Sequence, residues 1–305
     1  MLYFLINPAS RKKKCLRTWK LIERELKKER VIYQVILSKS YDDVSNIARG
    51  LTSDPEAKDV IILGGDGTLN AFLNGMISWK EIRIGYLPFG SGNDFARGMN
   101  ITTNYKEELS LILHDKRIRH IHYGIVDYSS GRQQRFLVSS GMGYDARVCY
   151  EVDHSRMKAF LNLLGIGRLI YLYTGVKHLL RARTFSGAVY VDDELVLEDD
   201  HILFGSVHML PYEGGGFRFC PDAYPESDFL HMCVAAGIAK RKIPFIIPQA
   251  FVGTHIYNQG VYQYKGSQIR ITASQPQYVH TDGETDHMYD DISFSVSEDT
   301  IMFLN

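Results

Sequence analysis

The sequence predicts an α/β domain followed by an all-β domain. Strand and helix signals alternate over about the first 118 residues, and short β-rich segments separated by turns follow them. Alternating strands and helices are typical of βαβ units on a mainly parallel sheet, whereas closely spaced short strands are typical of an antiparallel sandwich. A length of 305 residues suits two domains of ordinary size.

The elements of the first domain, residues 1–118, follow from the spacing of apolar residues. Short apolar runs predict strands at 2–6, 33–37, 60–63 and 82–87. Apolar residues at helical spacing predict helices at 16–30, 41–51, 69–76, 94–99 and 105–114. Because ligands bind beyond the carboxyl ends of parallel strands, the small and polar residues after these strands are expected to line one crevice.

The second domain, residues 119–296, is expected to be an antiparallel β-sandwich with one helical insertion at about 156–183. Turn residues separate its predicted strands, as in most sandwiches. The strands include 135–139, 187–191, 201–208, 229–235, 268–273, 278–280 and 292–296.

The composition excludes some classes of protein. Lys plus Arg equals Asp plus Glu, 35 each, so no overall basic charge predicts nucleic-acid binding, and the run Lys240–Lys242 is interpreted as solvated surface. The four cysteines form no CxxC pair, which favours a reducing compartment, and the eleven histidines show no metal-ligand spacing that predicts zinc.

The apolar runs predict neither a signal peptide nor a spanning helix, so we expect a cytoplasmic protein. The first run, residues 2–6, is too short for a signal-peptide core, and polar residues interrupt the longest apolar segment, 160–180. That segment is aromatic and weakly basic, which leaves open a peripheral position at the inner face of the membrane; the alternative is core packing.

The stretch from Val60 to Asn70 carries the first chemical signal. An apolar strand runs into glycines at 64, 65 and 67, which remove the side chains on either side of Asp66. Backbone N–H groups in such a turn can converge on a phosphate, and a carboxylate there can hold Mg²⁺ or take a proton. The alternative is a plain turn after a strand.

Three runs resemble the bacterial lipid kinases related to diacylglycerol kinase and sphingosine kinase. They are Gly64-Gly65-Asp66-Gly67-Thr68-Leu69-Asn70, Leu87-Pro88-Phe89-Gly90-Ser91-Gly92-Asn93-Asp94-Phe95-Ala96-Arg97 and Asp282-Gly283-Glu284. Asn7-Pro8-Ala9-Ser10, and Gly214-Gly215-Gly216-Phe217 followed by Pro221-Asp222-Ala223, are similar to further motifs of that family, in the family's order. The second run is the most diagnostic, because Gly-Gly-Asp-Gly also resembles NAD kinases and phosphofructokinases.

The resemblance implies an ATP- and Mg²⁺-dependent kinase that transfers the γ-phosphoryl group to a lipid hydroxyl, with diacylglycerol or a related lipid as the expected acceptor. It implies an ATP-binding first domain, joined by a last strand at about 297–305, and an acceptor-binding second domain, with the active site in the cleft between them. The expected partners are a membrane-derived lipid and the membrane surface, without nucleic acid, and a homodimer is left open.

By the same resemblance, Asp282 takes the proton of the acceptor hydroxyl, and Glu284 helps to place Mg²⁺ together with Asp66 and Asp94. The implied nucleotide contacts are Asn7, Ser10, Lys12 or Lys13, Ser38, Gly64, Gly65, Asp66, Gly67, Thr68, Asn70, Ser91, Gly92, Asn93 and Asp94. Simpler interpretations stand beside these. Asn7 can mark a strand exit, Ser38, Asn93 and Asp94 can cap helices, and Asp282-Gly283 can be a hairpin turn.

Three departures from the family pattern weaken the resemblance locally. Ala71 stands where a Glu is usual, His122 where an Asp is usual, and His231 where the last Asp of a motif tied to a structural Mg²⁺ is usual. The structural metal near Asp228 is therefore in doubt. Two other functions stay open: an NAD-kinase-like enzyme acting on a soluble nucleotide, and a catalytically weak regulator that binds lipid or nucleotide.

Overall fold

The computed structural model describes residues 1–11, 14–153 and 182–304. The chain divides into two compact units, residues 1–121 with 299–305 and residues 122–298. The sequence predicts the corresponding boundaries between residues 118 and 119 and between residues 296 and 297. Lys12, Lys13 and the segment 160–180 lie outside the described residues, as does the predicted helical insertion apart from its last two positions.

The first unit is an α/β domain built on one sheet. Its strands are β1 (Leu2–Ile6), β2 (Tyr33–Leu37), β3 (Lys58–Gly64), β4 (Ile82–Pro88), β5 (Ile118–Ile121) and β15 (Ile301–Leu304). Its helices are α1 (Lys14–Lys28), α2 (Tyr41–Ser53), α3 (Asp66–Gly75), α4 (Asp94–Gly98) and α5 (Tyr105–Ser110), and α5 continues as a π-helical turn at Leu111–Asp115.

The six strands lie in the order β2-β1-β3-β4-β15-β5, and every pair is parallel except β15 with β5. The last strand of the chain therefore completes the first sheet. Residues 60–64 of β3 are all buried, as in a parallel sheet covered by helices on both faces. Trp19, Ile22 and Leu26 recur at helical spacing along α1 and pack against Phe4 of β1.

The second unit is antiparallel. Its strands are β6 (Gly124–Tyr128), β7 (Gln133–Phe136), β8 (Ser139–Gly143), β9 (Phe185–Val191), β10 (Glu194–His208), β11 (Leu230–Ala236), β12 (Val261–Gly266), β13 (Gln268–Thr281) and β14 (Glu284–Val296). The described part of this unit also contains the helices α6 (Tyr144–Asp153) and α7 (Ile243–Val252), together with 3₁₀ turns at Lys240–Lys242 and Thr254–Tyr257.

Two long strands, β10 and β13, bend this sheet into a sandwich-like shape. Each pairs with β9 along its first half and with β8 along its second half, and a register shift separates the halves. Such irregularities let one strand pass from one layer to the next. Phe136, Met142 and Phe294 fill the core between the layers. The predicted fold class, α/β followed by an antiparallel sandwich-like domain, is confirmed.

Helix α7 is one of the elements that the sequence analysis misses. Its residues, IPFIIPQAFV, include Pro244 at the start and Pro248 inside, and proline normally argues against a helix interior. Within the described ranges, no helix is both long enough and apolar enough to cross a bilayer.

Candidate active site

The glycine motif after β3 opens a helix. Helix α3 begins at Asp66, where the sequence predicted a start at residue 69, and Gly65 is its N-cap with an extended backbone (φ −101°). A Cβ at Gly65 would lie 2.9 Å from the Cα of Gly90, and one at Gly64 would lie 2.6 Å from the Cβ of Thr68. Packing of the chain on itself therefore requires both glycines, whereas the sequence analysis attributed them to a ligand.

The start of α3 meets the ends of β1 and β2 at one edge of the sheet. Asn7, directly after β1, donates a hydrogen bond from Nδ2 to Thr68 Oγ1 over 2.9 Å. Ser10 lies in the turn that follows Asn7, and its N–H donates to the Asn7 carbonyl over 3.2 Å. Ser38, after β2, is buried, and its hydroxyl donates to the carbonyl of Ile6 over 3.3 Å. Asn7 and Thr68 thus meet as predicted, whereas Ser38 holds two strand ends together.

The second motif lies against the first. Asn93 is the N-cap residue of α4 and has a left-handed backbone (φ 55°), but its side chain makes no cap hydrogen bond. The N–H of Asp94 donates to Asp66 Oδ2 over 3.1 Å, and the Arg97 guanidinium forms an ion pair with Asp94 Oδ1. The loops after β3 and β4 are therefore tied together through two aspartates.

Both aspartates face the same point beside Gly92. An ideal Cβ on Gly92 would lie 3.2 Å from Asp94 Oδ2 and 3.4 Å from Asp66 Oδ2. Mg²⁺ usually takes one or two protein carboxylates and completes its shell with phosphate oxygens and water. The pair of carboxylates fits that requirement.

Asn70, predicted to contact the nucleotide, is buried between helices. Its Oδ1 accepts hydrogen bonds from the hydroxyl of Tyr41 over 2.7 Å and from Nδ2 of Asn74 over 3.1 Å. The next residue, Ala71, is fully buried, and its carbonyl accepts from the Ser45 hydroxyl over 2.9 Å. These contacts join α2 to α3, so Asn70 supports the helix that carries Asp66.

The Asp282-Gly283 pair forms a two-residue hairpin turn between β13 and β14, with positive φ at both positions (49° and 84°). The Asp282 side chain does more than turn the chain. Its Oδ1 accepts from the N–H groups of Val138 and Ser139 over 2.8 and 3.1 Å, and its Oδ2 accepts from Leu137 over 2.9 Å. Glu284, which is exposed at the start of β14, does not share these contacts.

A buried polar cluster lies beside this hairpin in the second unit. Nε2 of His280 lies 3.2 Å from Asp145 Oδ2 and 3.6 Å from Glu213 Oε1. Glu213 also accepts from the Ser206 hydroxyl over 2.9 Å and lies 3.4 Å from His208 Nε2. Asp145 and His280 are far in the chain from the segment 206–213, which holds the other three residues, so sequence spacing gave no signal, and the dispersed histidines were set aside.

The two histidines of this cluster have opposite protonation states near neutral pH. Burial alone would lower the pKa of His280, but attraction to Glu213 and the hydrogen bond to Asp145 outweigh it and raise the pKa to about 9. Burial lowers the pKa of His208 to about 4 against a weaker attraction to Glu213. The cluster therefore holds an imidazolium between two carboxylates. The ligand atoms of Asp145, Glu213 and His280 all lie within 4.8 Å of one another, so the imidazolium occupies a position that a divalent cation could also take.

An apolar cavity of about 140 Å³ opens beside the cluster. Asp145 and Glu213 contribute its polar wall, and Oδ1 of Asp145 has no hydrogen-bond partner among the described residues. The Asp145 side chain is only 7% exposed. Apolar side chains from β10, β11, α6 and α7 form much of the remaining wall, among them Val148, Leu203, Phe204, Ala235, Ile243, Ile246 and Ala250. The arrangement suits a ligand with a hydrocarbon part and a hydrogen-bond donor.

The departures at His122 and His231 have different surroundings. His122 Nε2 lies 3.2 Å from Asp228 Oδ1, and its Nδ1 lies 2.9 Å from the carbonyl of Ser297. Both ring nitrogens of His122 therefore lie close to an oxygen atom. His231 is buried on β11, where burial lowers its pKa. His122 and His231 stand where the family pattern has carboxylates, and Mg²⁺ prefers oxygen ligands, so the residues present do not fit the structural Mg²⁺ of that pattern.

Comparison with known proteins matches these two units to two families of domain. Residues 1–126 match the diacylglycerol kinase catalytic domain, and residues 138–293 match the YegS C-terminal NAD kinase beta sandwich-like domain. The Bacillus subtilis protein named "Putative lipid kinase YtlR" is 28% identical over 92% of each chain. A diacylglycerol kinase of Staphylococcus carnosus is 25% identical over 81% of this chain and 76% of its own.

Solved structures show the same fold. A diacylglycerol kinase from Bacillus anthracis matches 99% of this chain and 96% of its own with a TM-score of 0.70 at 18% identity. An NAD kinase from Archaeoglobus fulgidus, solved with ATP, matches 100% of this chain and 94% of its own with a TM-score of 0.54 at 16% identity. The motifs, the two matched domains and the full-length relatives agree, and the chain belongs to the family of diacylglycerol kinase-like lipid kinases.

Proposed function

We propose that this enzyme transfers the γ-phosphoryl group of ATP, with Mg²⁺, to the hydroxyl of diacylglycerol or a closely related lipid. The observation that carries the choice of a lipid acceptor is the apolar cavity of about 140 Å³ in the second unit. A soluble nucleotide would leave such a wall of aliphatic and aromatic side chains without a partner. Burial of acyl chain there is favourable at about 25 cal/mol per Å².

On the nucleotide side, the start of α3 offers backbone N–H groups and the positive end of the helix dipole to phosphate. Thr68, oriented by Asn7, adds a hydroxyl beside them. Asp66 and Asp94 would hold Mg²⁺, which neutralises phosphate charge and orients the transferred group when it is bound. Lys12 or Lys13 remains the proposed cation for the phosphates.

On the acceptor side, Asp282 is the proposed general base. Three backbone N–H groups hold its carboxylate in one orientation, and hydrogen bonds of that kind favour the ionised form that can accept a proton. The proton of the acceptor hydroxyl would pass to this carboxylate as the oxygen bonds to phosphorus and the bond to ADP breaks. Glu284, exposed beside it, is proposed to assist in placing Mg²⁺.

The acceptor would place its hydrocarbon part in the cavity and its polar end toward the cluster. Asp145 Oδ1, buried and unpartnered among the described residues, is available to accept a hydrogen bond from a second hydroxyl. We propose that the enzyme works as a cytoplasmic protein in peripheral contact with a membrane that supplies this lipid.

The test is phosphorylation with labelled ATP, Mg²⁺ and a panel of diacylglycerol, sphingoid base and NAD. Asp282→Asn should abolish lipid labelling, but it also places an amide N–H against the N–H of Leu137, so its unfolding must be measured too. Asp192→Asn is the matched control. Asp192 also has φ 49° and lies between β9 and β10, and its Oδ1 accepts from the N–H groups of Ser267 and Gln268.

Three outcomes would overturn the proposal. Labelled NAD without labelled lipid would make this an NAD-kinase-like enzyme. ATP binding without any product would make it a regulator. Equal loss of activity in Asp282→Asn and Asp192→Asn would reduce Asp282 to a structural role.

The cavity has its own test. Ala235→Leu should fill part of the volume and raise KM for a long-chain acceptor about tenfold, a loss of about 1.4 kcal/mol of acceptor binding, while KM for ATP stays the same. Ala239→Leu, at an exposed position in the same unit, is the control. An unchanged KM for the long-chain acceptor in Ala235→Leu would place the acyl chain elsewhere.

A further inference from the structure

Helix α7 has two apolar faces. Ile243, Ile246, Ile247 and Ala250 recur at helical spacing and line the cavity. Outside this stripe, Phe245 is 75% exposed and Val252 is 64% exposed. A surface helix normally has a polar outer face, so the composition of α7 indicates that its outer face meets something apolar.

The chain segments directly before and after α7 contain basic side chains and no acidic ones. The 3₁₀ turn that leads into it is Lys240-Arg241-Lys242, and all three side chains are exposed. Between Gly237 and Gly260 the chain contains these three cations and no carboxylate. The 3₁₀ turn that follows α7 adds Tyr257, which is 83% exposed. Cations beside exposed aromatic and aliphatic side chains are typical of segments that lie on anionic lipid.

Contacts with the rest of the second unit hold α7 in place, so the residues of its outer face have fixed positions. The N–H of Arg218 donates to the carbonyl of Ala250 over 2.7 Å. Phe217 stacks on Phe251 with ring centroids 4.2 Å apart. Gly253, in a left-handed conformation, ends the helix and donates its N–H to the Gln249 carbonyl.

Proline restricts how deep this surface can lie. Pro248 has no N–H to give to the carbonyl of Pro244, and both residues are exposed. A carbonyl left without its helical partner needs water, which the interfacial layer of a bilayer supplies and its hydrocarbon centre does not. The geometry suits a helix that lies in the plane of the interface.

We propose that the outer face of α7 and the turn Lys240–Lys242 dock this protein on the surface of an anionic phospholipid membrane. Because the inner face of the same helix lines the apolar cavity, a docked α7 would separate the lipid layer from the cavity by one helix. The inference rests on the proposed function only in taking the membrane as the source of the acceptor.

The test is co-sedimentation of the full chain, without ATP, with vesicles of phosphatidylcholine alone or mixed with phosphatidylglycerol. The unaltered protein should bind the mixed vesicles, bind phosphatidylcholine weakly, and dissociate as salt is raised. Each cation near an anionic surface strengthens binding about fivefold, so Lys240→Gln/Arg241→Gln/Lys242→Gln should weaken it about a hundredfold. Arg17→Gln/Lys20→Gln/Arg24→Gln removes the same charge from exposed positions on α1 and should change it little.

The apolar part is tested by Phe245→Ser, which should weaken binding about tenfold. Ile32→Ser is its control, because Ile32 is 79% exposed in the first unit. Equal losses in the α7 and α1 triple variants, or no binding of the unaltered protein to either vesicle, would overturn the inference.

Kinase activity separates this inference from the proposed function. The variant with Gln at positions 240, 241 and 242 should phosphorylate a short-chain diacylglycerol dispersed in water at the normal rate. Its rate should fall only when the diacylglycerol is presented in vesicles. Vesicle binding by a protein that phosphorylates no lipid would overturn the proposed function and keep the docking surface.

Discussion

The charge on His280 should make the folding stability of this protein fall as the pH becomes alkaline. The imidazolium lies fully buried between Asp145 and Glu213, and its pKa is raised from 6.5 to about 9. That difference corresponds to about 3 kcal/mol of folding free energy, because one pKa unit is worth about 1.4 kcal/mol. The folded state binds more protons than the unfolded state between these two values. The contribution is therefore complete below pH 6.5 and is lost as the pH rises through about 9.

The assay is urea unfolding at a series of pH values from neutral to alkaline, for the unaltered protein, His280→Gln and His201→Gln. His201, exposed on β10, is the matched control. In the unaltered protein and the control, the free energy of unfolding should fall by about 3 kcal/mol over this range because His280 loses its proton. His280→Gln should have a lower free energy of unfolding at neutral pH and should lose correspondingly less of it as the pH rises. Parallel pH profiles for the unaltered protein and His280→Gln would refute the charged state of His280.

The remaining predictions concern packing, thiols and acid pH. Gly65→Ala should lower the free energy of unfolding by about 1–3 kcal/mol and weaken ATP binding, because its Cβ would lie 2.9 Å from the Cα of Gly90. Gly50→Ala is the control: a Cβ at this position of α2 would meet nothing within 4 Å, and the change should stabilise the protein by about 0.5–1 kcal/mol. Thermal unfolding and ATP titration check both variants. Cys15 and Cys233 should resist alkylation at pH 8 until the protein is unfolded, since burial raises both thiol pKa values to about 12. Alkylation of either cysteine in the folded protein, detected by mass spectrometry, would contradict this. His208, whose pKa burial lowers to about 4, should cost stability as the pH falls from 6.5 towards 4, and a His208→Gln variant that keeps the acid slope would contradict this.

Local patterns in the sequence were enough to predict the α/β unit because its strands and helices are short and periodic. The apolar run from Val60 to Leu63 is a buried parallel strand, as its composition predicts. The motifs at Gly64 and Gly90 also come together as expected, since parallel strands end at one edge of a sheet. The start of α3 was placed too late, because glycines at its first turn disguise a helix N-terminus.

The second unit shows where local patterns fail. The long strands β10 and β13 change partners at their midpoints, and nothing in a local pattern specifies that change. Helix α7 was hidden by its prolines, so the sequence did not show that the exposed run Lys240–Lys242 leads into a helix.

The sequence by itself determined the family, the two-domain plan and the motif residues, because each of these is written in contiguous stretches. Only the tertiary structure showed which of those residues hold parts of the chain together, as Asn70 and Gly65 illustrate. It alone assembled Asp145, Glu213 and His280 beside an apolar cavity. Burial and mutual charge fix their protonation, and both depend on contacts between residues up to 135 positions apart in the chain.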